Sequence, residues 1–168
     1  LAPEPTLVQA SIVAVLVAVI WAPVAWLMGD GSWQQWGATA WLVLAASASV
    51  HVAYFVVLLT GYRRADLTVV YPVARGTGPL LASVMAVVVL KESLSWLSVV
   101  GVLAVCLGIF WVAGGAGLLR QARDPQVHVR TMTGLRWGLA TGVLIATYTV
   151  IDGYAVTVLL IGPVIVDY

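Results

Sequence analysis

The stretch Ser98-Val99-Val100-Gly101-Val102-Leu103-Ala104-Val105-Cys106-Leu107-Gly108-Ile109-Phe110-Trp111-Val112-Ala113 decides the fold. It is apolar on every side of a helix and lacks the alternation of apolar and polar residues that barrel strands carry. Such a segment must be surrounded by apolar matter. Where that matter is lipid, a helix satisfies all of its backbone hydrogen bonds internally. The rest of the chain has the same character. Of 168 residues, 62% are hydrophobic and 9% are charged, whereas a water-facing domain carries about 25% charged residues.

Segments near the length of about 20 apolar residues that crosses a hydrocarbon core fall at about Leu7–Met28, Trp36–Thr60, Leu67–Leu90, Leu94–Ala116 and Leu135–Leu159. Ile161 to Val166 starts like a sixth. A polar loop from Arg120 to Thr133 separates the fourth span from the fifth. The expected fold is an all-α membrane protein, a polytopic transmembrane helix bundle with about five spans. The chain opens Leu-Ala-Pro-Glu-Pro, with no initiator Met or basic n-region, and reads as the middle of something longer rather than as a signal peptide.

Alternating crossings put Arg63, Arg64, Arg120, Arg123, Arg130 and Arg136 on one side and Asp30, Lys91 and Glu92 on the other. The positive-inside rule assigns the arginine side to the cytoplasm, and Trp26, Trp33, Trp36 and Trp96 then form a belt at the opposite interface. The net charge of +1 and the absence of a basic block give no sign of a nucleic-acid partner. Cys106 is the sole cysteine, and His51 and His128 stand far apart without metal-ligand spacing. No phosphate-binding glycine loop or catalytic triad pattern is present. Neither a catalytic residue, a metal nor a cofactor is expected. Gly114-Gly115-Ala116-Gly117 ends a helix rather than following a strand.

Small residues suggest where helices approach. Gly134, Gly138, Gly142 and Ala146 recur every four residues on one face of the fifth span, and Ala104 and Gly108 do so in the fourth. Ionisable groups inside spans are expensive and face a cavity or partner, and two clearly qualify. Arg75 lies about 12 Å into the third span if that helix starts at Leu67. Its neighbours, Tyr71-Pro72-Val73-Ala74-Arg75-Gly76-Thr77-Gly78-Pro79, predict a bent helix loosened by Gly76 and Gly78, like the broken helices of secondary transporters. Its role is either to face an anion in a central cavity or to form a structural ion pair with Asp152. Asp152, four residues after Tyr148, is placed to hold a proton or cation, to neutralise Arg75, or to sit at an interface beside Gly153. His51, near Tyr54 in the second span, reads more simply as an interhelical hydrogen-bonder than as a relay. Glu92, Ser93 and Ser95 suit a helix N-terminus. Tyr62 to Asp66 reads as a short turn whose arginines anchor at headgroups.

Pro79, Glu92, Gly101 and Gly108, with Ala65-Asp66-Leu67, Tyr71-Pro72 and Arg75-Gly76, resemble the EamA-type transporters of the drug/metabolite transporter superfamily. The stretch from Gly142 to Gly153, with Tyr148 and Asp152, is similar to the opening helix of that family's second repeat. The resemblance implies a ten-helix inverted-repeat transporter in a bacterial inner membrane. It divides the chain into residues 1–118, four helices of the first repeat; 119–133, the inter-repeat loop; and 134–168, the start of the second repeat. Half of the cavity wall would then come from a missing half of the transporter or from a homodimer partner. It also implies a topology that puts the Arg63–Arg64 turn outside, against the charge count.

The expected function is transport of small metabolites or drugs by alternating access. The substrate-binding candidates are Arg75, Tyr71, Asp152, Tyr148, His51 and Tyr54, and the partners are a small-molecule substrate and the lipid bilayer. The competing function is a non-transporting accessory subunit, in which Arg75 and Asp152 would face each other. An intramembrane enzyme lacks a catalytic set.

Overall fold

The structure is a computed structural model that describes residues 5–28, 32–89, 91, 93, 95–112 and 125–167. Asp30, Glu92, Arg120, Arg123, Asp124 and the Gly114–Gly117 cluster lie outside the described residues. The chain forms α1 (Pro5–Met28), a 3₁₀ turn (Ser32–Gln35), α2 (Ala38–Arg64), α3 (Leu67–Val89), α4 (Trp96–Val112), α5 (Pro125–Thr157) and α6 (Pro163–Asp167). Among the described residues there is no strand, as a lipid-facing chain without a closed barrel requires. This is an all-α membrane protein. Ala38–Arg64, Leu67–Val89 and His128–Thr157 are each long and apolar enough to cross a bilayer, while Ser11–Leu27 and Trp96–Val112 are shorter apolar helical stretches. All five expected spans are therefore helices, but three reach membrane length on these terms. The expected end of the fourth, at Ala116, lies outside the described residues.

Helix ends follow local chemistry. Asp66 caps α3, its Oδ1 accepting from the Thr68 backbone N–H at 2.9 Å and from the Thr68 hydroxyl at 2.7 Å. Ser95 caps α4, its Oγ accepting from Ser98 N–H at 3.1 Å. The supposed turn from Tyr62 is shorter than expected. α2 continues to Arg64, because Tyr62 packs on the core and two arginines in a last turn favour the helix dipole. α3 runs as one helix with Pro72 and Pro79 inside it. Proline removes one N–H and leaves the carbonyl four residues back without its helical donor. Here those are the carbonyls of Thr68 and Arg75.

Contacts divide the chain into two units, Val50–Val150 and Leu1–Ser49 with Ile151–Tyr168. In the first, α5 lies along α3 at very short range. A Cβ placed on Gly134 would come 3.0 Å from Val69 Cβ, and one on Gly138 would come 2.7 Å from Val73 Cβ and 3.0 Å from the Val70 carbonyl oxygen. Gly142 receives Thr77 in the same way, and Ala146 completes the buried stripe. The three glycines meet Val69, Val73 and Thr77 in the same order, so α3 and α5 run parallel. By contrast Trp137 meets Gly61 and Tyr148 meets His51, so α2 and α5 run antiparallel. Alternate crossings demand this sequence of directions.

Gly76 and Gly78 have a packing role rather than a loosening one. Gly76 admits Ile109 of α4, 3.1 Å from a hypothetical Cβ, and Gly78 admits Ile145 of α5 at 2.7 Å. Among the described residues nothing packs on the expected Ala104–Gly108 face of α4. Ala104 is exposed, and a Cβ on Gly101 or Gly108 would meet nothing within 4 Å. α4 instead turns Cys106 and Ile109 toward α3. These are bulkier groups, and they fit because the glycines are on the other helix.

In the second unit, α1 packs against α6, and Ala40, Ala155 and Ile161 form a small core bordered by Trp36, Val43 and Leu44. The reversal after α5 uses Leu160 at φ 56°, and Ile161 N–H donates to the Ala155 carbonyl at 3.0 Å. Large apolar side chains such as Ile20, Leu42, Val52, Leu107 and Trp111 are exposed. A water-soluble protein would not leave so much apolar area uncovered; lipid accepts it.

Two predictions follow from these contacts. Gly138→Ala should destabilise the bundle by about 1–3 kcal/mol through overpacking, while Gly101→Ala should be neutral or slightly stabilising, as read by unfolding in mixed detergent micelles. At the exposed Asp66, hydrogen bonds from the Thr68 side chain and backbone hold the carboxyl below its ordinary value of 3.8, with Arg130 adding a smaller pull. A depressed carboxyl stabilises the fold fully above the ordinary value and loses that contribution as pH falls through the lower folded value. Asp66→Ala should therefore cost about 1 kcal/mol at neutral pH and progressively less below pH 3.8.

Candidate functional site

Lipid leaves side-chain hydroxyls in a span few partners besides their own helix. Ser49, Thr60, Thr77, Ser83, Thr141, Thr147 and Thr149 accordingly each donate to the carbonyl four residues back. Polar groups that reach another helix stand out against that pattern.

The first such group lies where α2 and α5 meet. His51, Tyr54, Leu58 and Tyr62 follow one another at spacings of three and four, which is one face of a helix. The His51 and Tyr148 rings stack with centroids 3.7 Å apart and planes 27° apart. Tyr54 stands edge-on to His51 at 6.4 Å and 5.7 Å from Tyr148. Tyr54 is buried with Leu58, Val70, Ala74 and Ile145, and Tyr62, Trp137 and Tyr148 border that core. The close docking of α5 carries Ile145 onto Gly78 and, one turn on, carries Tyr148 to His51. Three of the six residues selected from the sequence thus come together. Stacked and tilted rings of this kind stabilise by about 0.5–1.5 kcal/mol beyond the area they bury.

Arg75 and Tyr71 form a second pair, with the guanidinium carbon 5.6 Å from the Tyr71 ring centroid. Both side chains are exposed on the chain. Tyr62, on the same face of α2 as Tyr54, borders the core that holds Val70 and Ala74 of α3. The Tyr71 ring is the contact described for the guanidinium. A cation near a span centre costs about 3 kcal/mol, whereas a cation–π contact returns about 0.5–2 kcal/mol. Tyr71 alone leaves a deficit.

Asp152 belongs to the other unit. The hydroxyl of the buried Ser47 donates to its Oδ1 at 2.5 Å, joining α2 to α5. The contact described for Arg75 is an aromatic ring, and one of those made by Asp152 is with a hydroxyl. Among the described residues no group of three metal-ligating side chains is found.

The sequence reading overlooked Tyr62 and Ser47. Tyr62 was hidden by its assignment to a turn; continuing the three-and-four spacing from His51 through Tyr54 finds it. Ser47 had no signal beyond being a hydroxyl in an apolar run. Ser47→Ala should destabilise the protein by about 0.5–1.5 kcal/mol, the range for interhelical hydrogen bonds in membranes. A double-mutant cycle with Asp152→Asn should return most of that as coupling, and additive effects would show the bond to be energetically silent.

No curated protein and no solved structure matches the chain. Its residues 3–114 match the family described as the EamA-like transporter family. That segment is two-thirds of the sequence and holds α1 to α4, including the arginine of α3 and the aromatic face of α2. With those helices and that match together, the chain belongs to the EamA-like transporter family.

Proposed function

We propose that the protein carries small organic solutes across a bacterial inner membrane by alternating access, with the solute held between α2, α3 and α5. The observation that carries this is the stacked His51–Tyr148 pair with Tyr54, inside two membrane-length helices of a transporter-family chain. Aromatic rings bearing hydroxyl and imidazole groups, Tyr54 buried and His51 and Tyr148 half-buried, offer an apolar body and a few directed polar contacts, which is what a small-molecule site requires. Arg75 and Tyr71 complete the substrate-binding set in this unit. On this proposal the two repeats meet across residues 119–133, and the remaining cavity wall comes from further helices of the same protein or from a second copy.

Alternating access needs elements that shift without losing hydrogen bonds. α3 is suited to this, because at Pro72 and Pro79 two of its turns already lack one such bond. In the accessory-subunit alternative Arg75 and Asp152 would face each other.

The test is uptake into proteoliposomes holding the intact protein, across a panel of labelled solutes. Tyr148→Ala should lower transport at least tenfold while Gly101→Ala leaves it unchanged, both variants remaining monodisperse. Unaltered transport by Tyr148→Ala would remove the aromatic cluster from the path. A wild-type protein that moves no solute would favour the accessory role.

A further inference from the structure

Building on the transporter reading, we infer that the carried solute is an organic monoanion whose carboxylate docks on the Arg75 guanidinium beside the Tyr71 ring. Arg75 is the one ionised side chain of α3, eight residues past its first, and is therefore roughly 12 Å along the helix. Its described partner is the Tyr71 ring. A ring under a guanidinium occupies a face and takes up none of the five N–H donors. Those donors form the fork that matches a carboxylate with two parallel hydrogen bonds.

The surroundings select among anions. A single arginine balances a single negative charge; a phosphate monoester or dicarboxylate would bring a second charge into the span with nothing described to meet it. Tyr62 packs against the core that contains Val70 and Ala74, the turn of α3 just before Arg75. Tyrosine hydroxyls donate to carboxylate oxygens and are neutral, so they add directionality without adding charge. The same face of α2 continues through Tyr54 to His51, with Tyr148 laid on it. An apolar or aromatic body attached to the carboxylate has that surface to lie on. Tyr62, read as part of a turn from the sequence, thereby becomes a specificity residue.

Guanidinium chemistry of this kind also suits the phosphate of an anionic lipid, and the experiment separates the two sources. The intact protein is reconstituted in phosphatidylcholine vesicles with and without phosphatidylglycerol. Uptake is measured for size-matched labelled monocarboxylates, amines and neutral solutes. Carriage confined to monocarboxylates is expected, with Arg75→Gln raising KM about tenfold or more in both membranes, as loss of a charge-assisted pair implies. Arg75→Lys should recover part of that, and Tyr62→Phe should raise KM about threefold through loss of one neutral hydrogen bond.

Carriage of amines or neutral solutes in place of monocarboxylates would overturn the anion assignment and leave the transporter reading standing. An unchanged KM in Arg75→Gln would do the same. A defect seen only with phosphatidylglycerol present would show that Arg75 holds a lipid headgroup. If no solute moves in wild type, the transporter reading itself fails and takes this inference with it. Should Arg75→Gln not fold, the Arg75→Lys and Tyr62→Phe values of KM decide the matter, and wild-type values in both would overturn it.

Discussion

Everything in the larger unit depends on how closely α5 can approach α3. The three glycines of α5 remove the side-chain layer that ordinarily separates two helices, so Val69, Val73 and Thr77 rest almost on its backbone. In lipid there is no hydrophobic drive to press helices together, and van der Waals contact of this density is the main attraction available. The approach fixes more than stability. It sets the height at which Ile145 enters the space over Gly78, and thereby the height at which Tyr148 reaches His51. The candidate site follows from a backbone contact two to four turns away.

The fold was legible because its cause is compositional. A chain so poor in charge cannot cover a water-facing surface, and the length of each apolar run marks a helix. The glycine stripe of α5 was legible too, since three successive glycines at a spacing of four have a single structural use. The partner of a stripe is harder to read. Ala104 and Gly108 have the same spacing, yet among the described residues nothing lies on their face, because the small residues at the α3–α4 contact are on α3. A spacing tells which face is thin. It does not tell whether another helix of this chain lies on it.

The site was legible in its residue types and less so in its pairings. Arg75 and Asp152 attracted attention as opposite charges in spans, and pairing them was the simplest electrostatic solution. The contacts described for them are an aromatic ring at Arg75 and a hydroxyl at Asp152. No periodicity carries that information, because Ser47 and Asp152 are 105 positions apart. The prolines were legible as missing N–H groups, and α3 continues as one helix through both of them.

The glycine notches of α5 also bear on how the bundle avoids misalignment. Notches at a spacing of four are interchangeable: displaced by one turn, Val69 would fit where Val73 now sits, and Val73 where Thr77 sits. The stripe defines an orientation and a distance but leaves the register degenerate, like a rack whose teeth are identical. Uniqueness comes from the pair outside the repeat. Gly78 and Ile145 reverse the usual assignment, with the notch on α3 and the tooth on α5, so a slip of one turn would drive Ile145 against the side chain of a non-glycine residue. One inverted contact thus works as a key, allowing a low-complexity interface of glycine and valine to specify a single alignment.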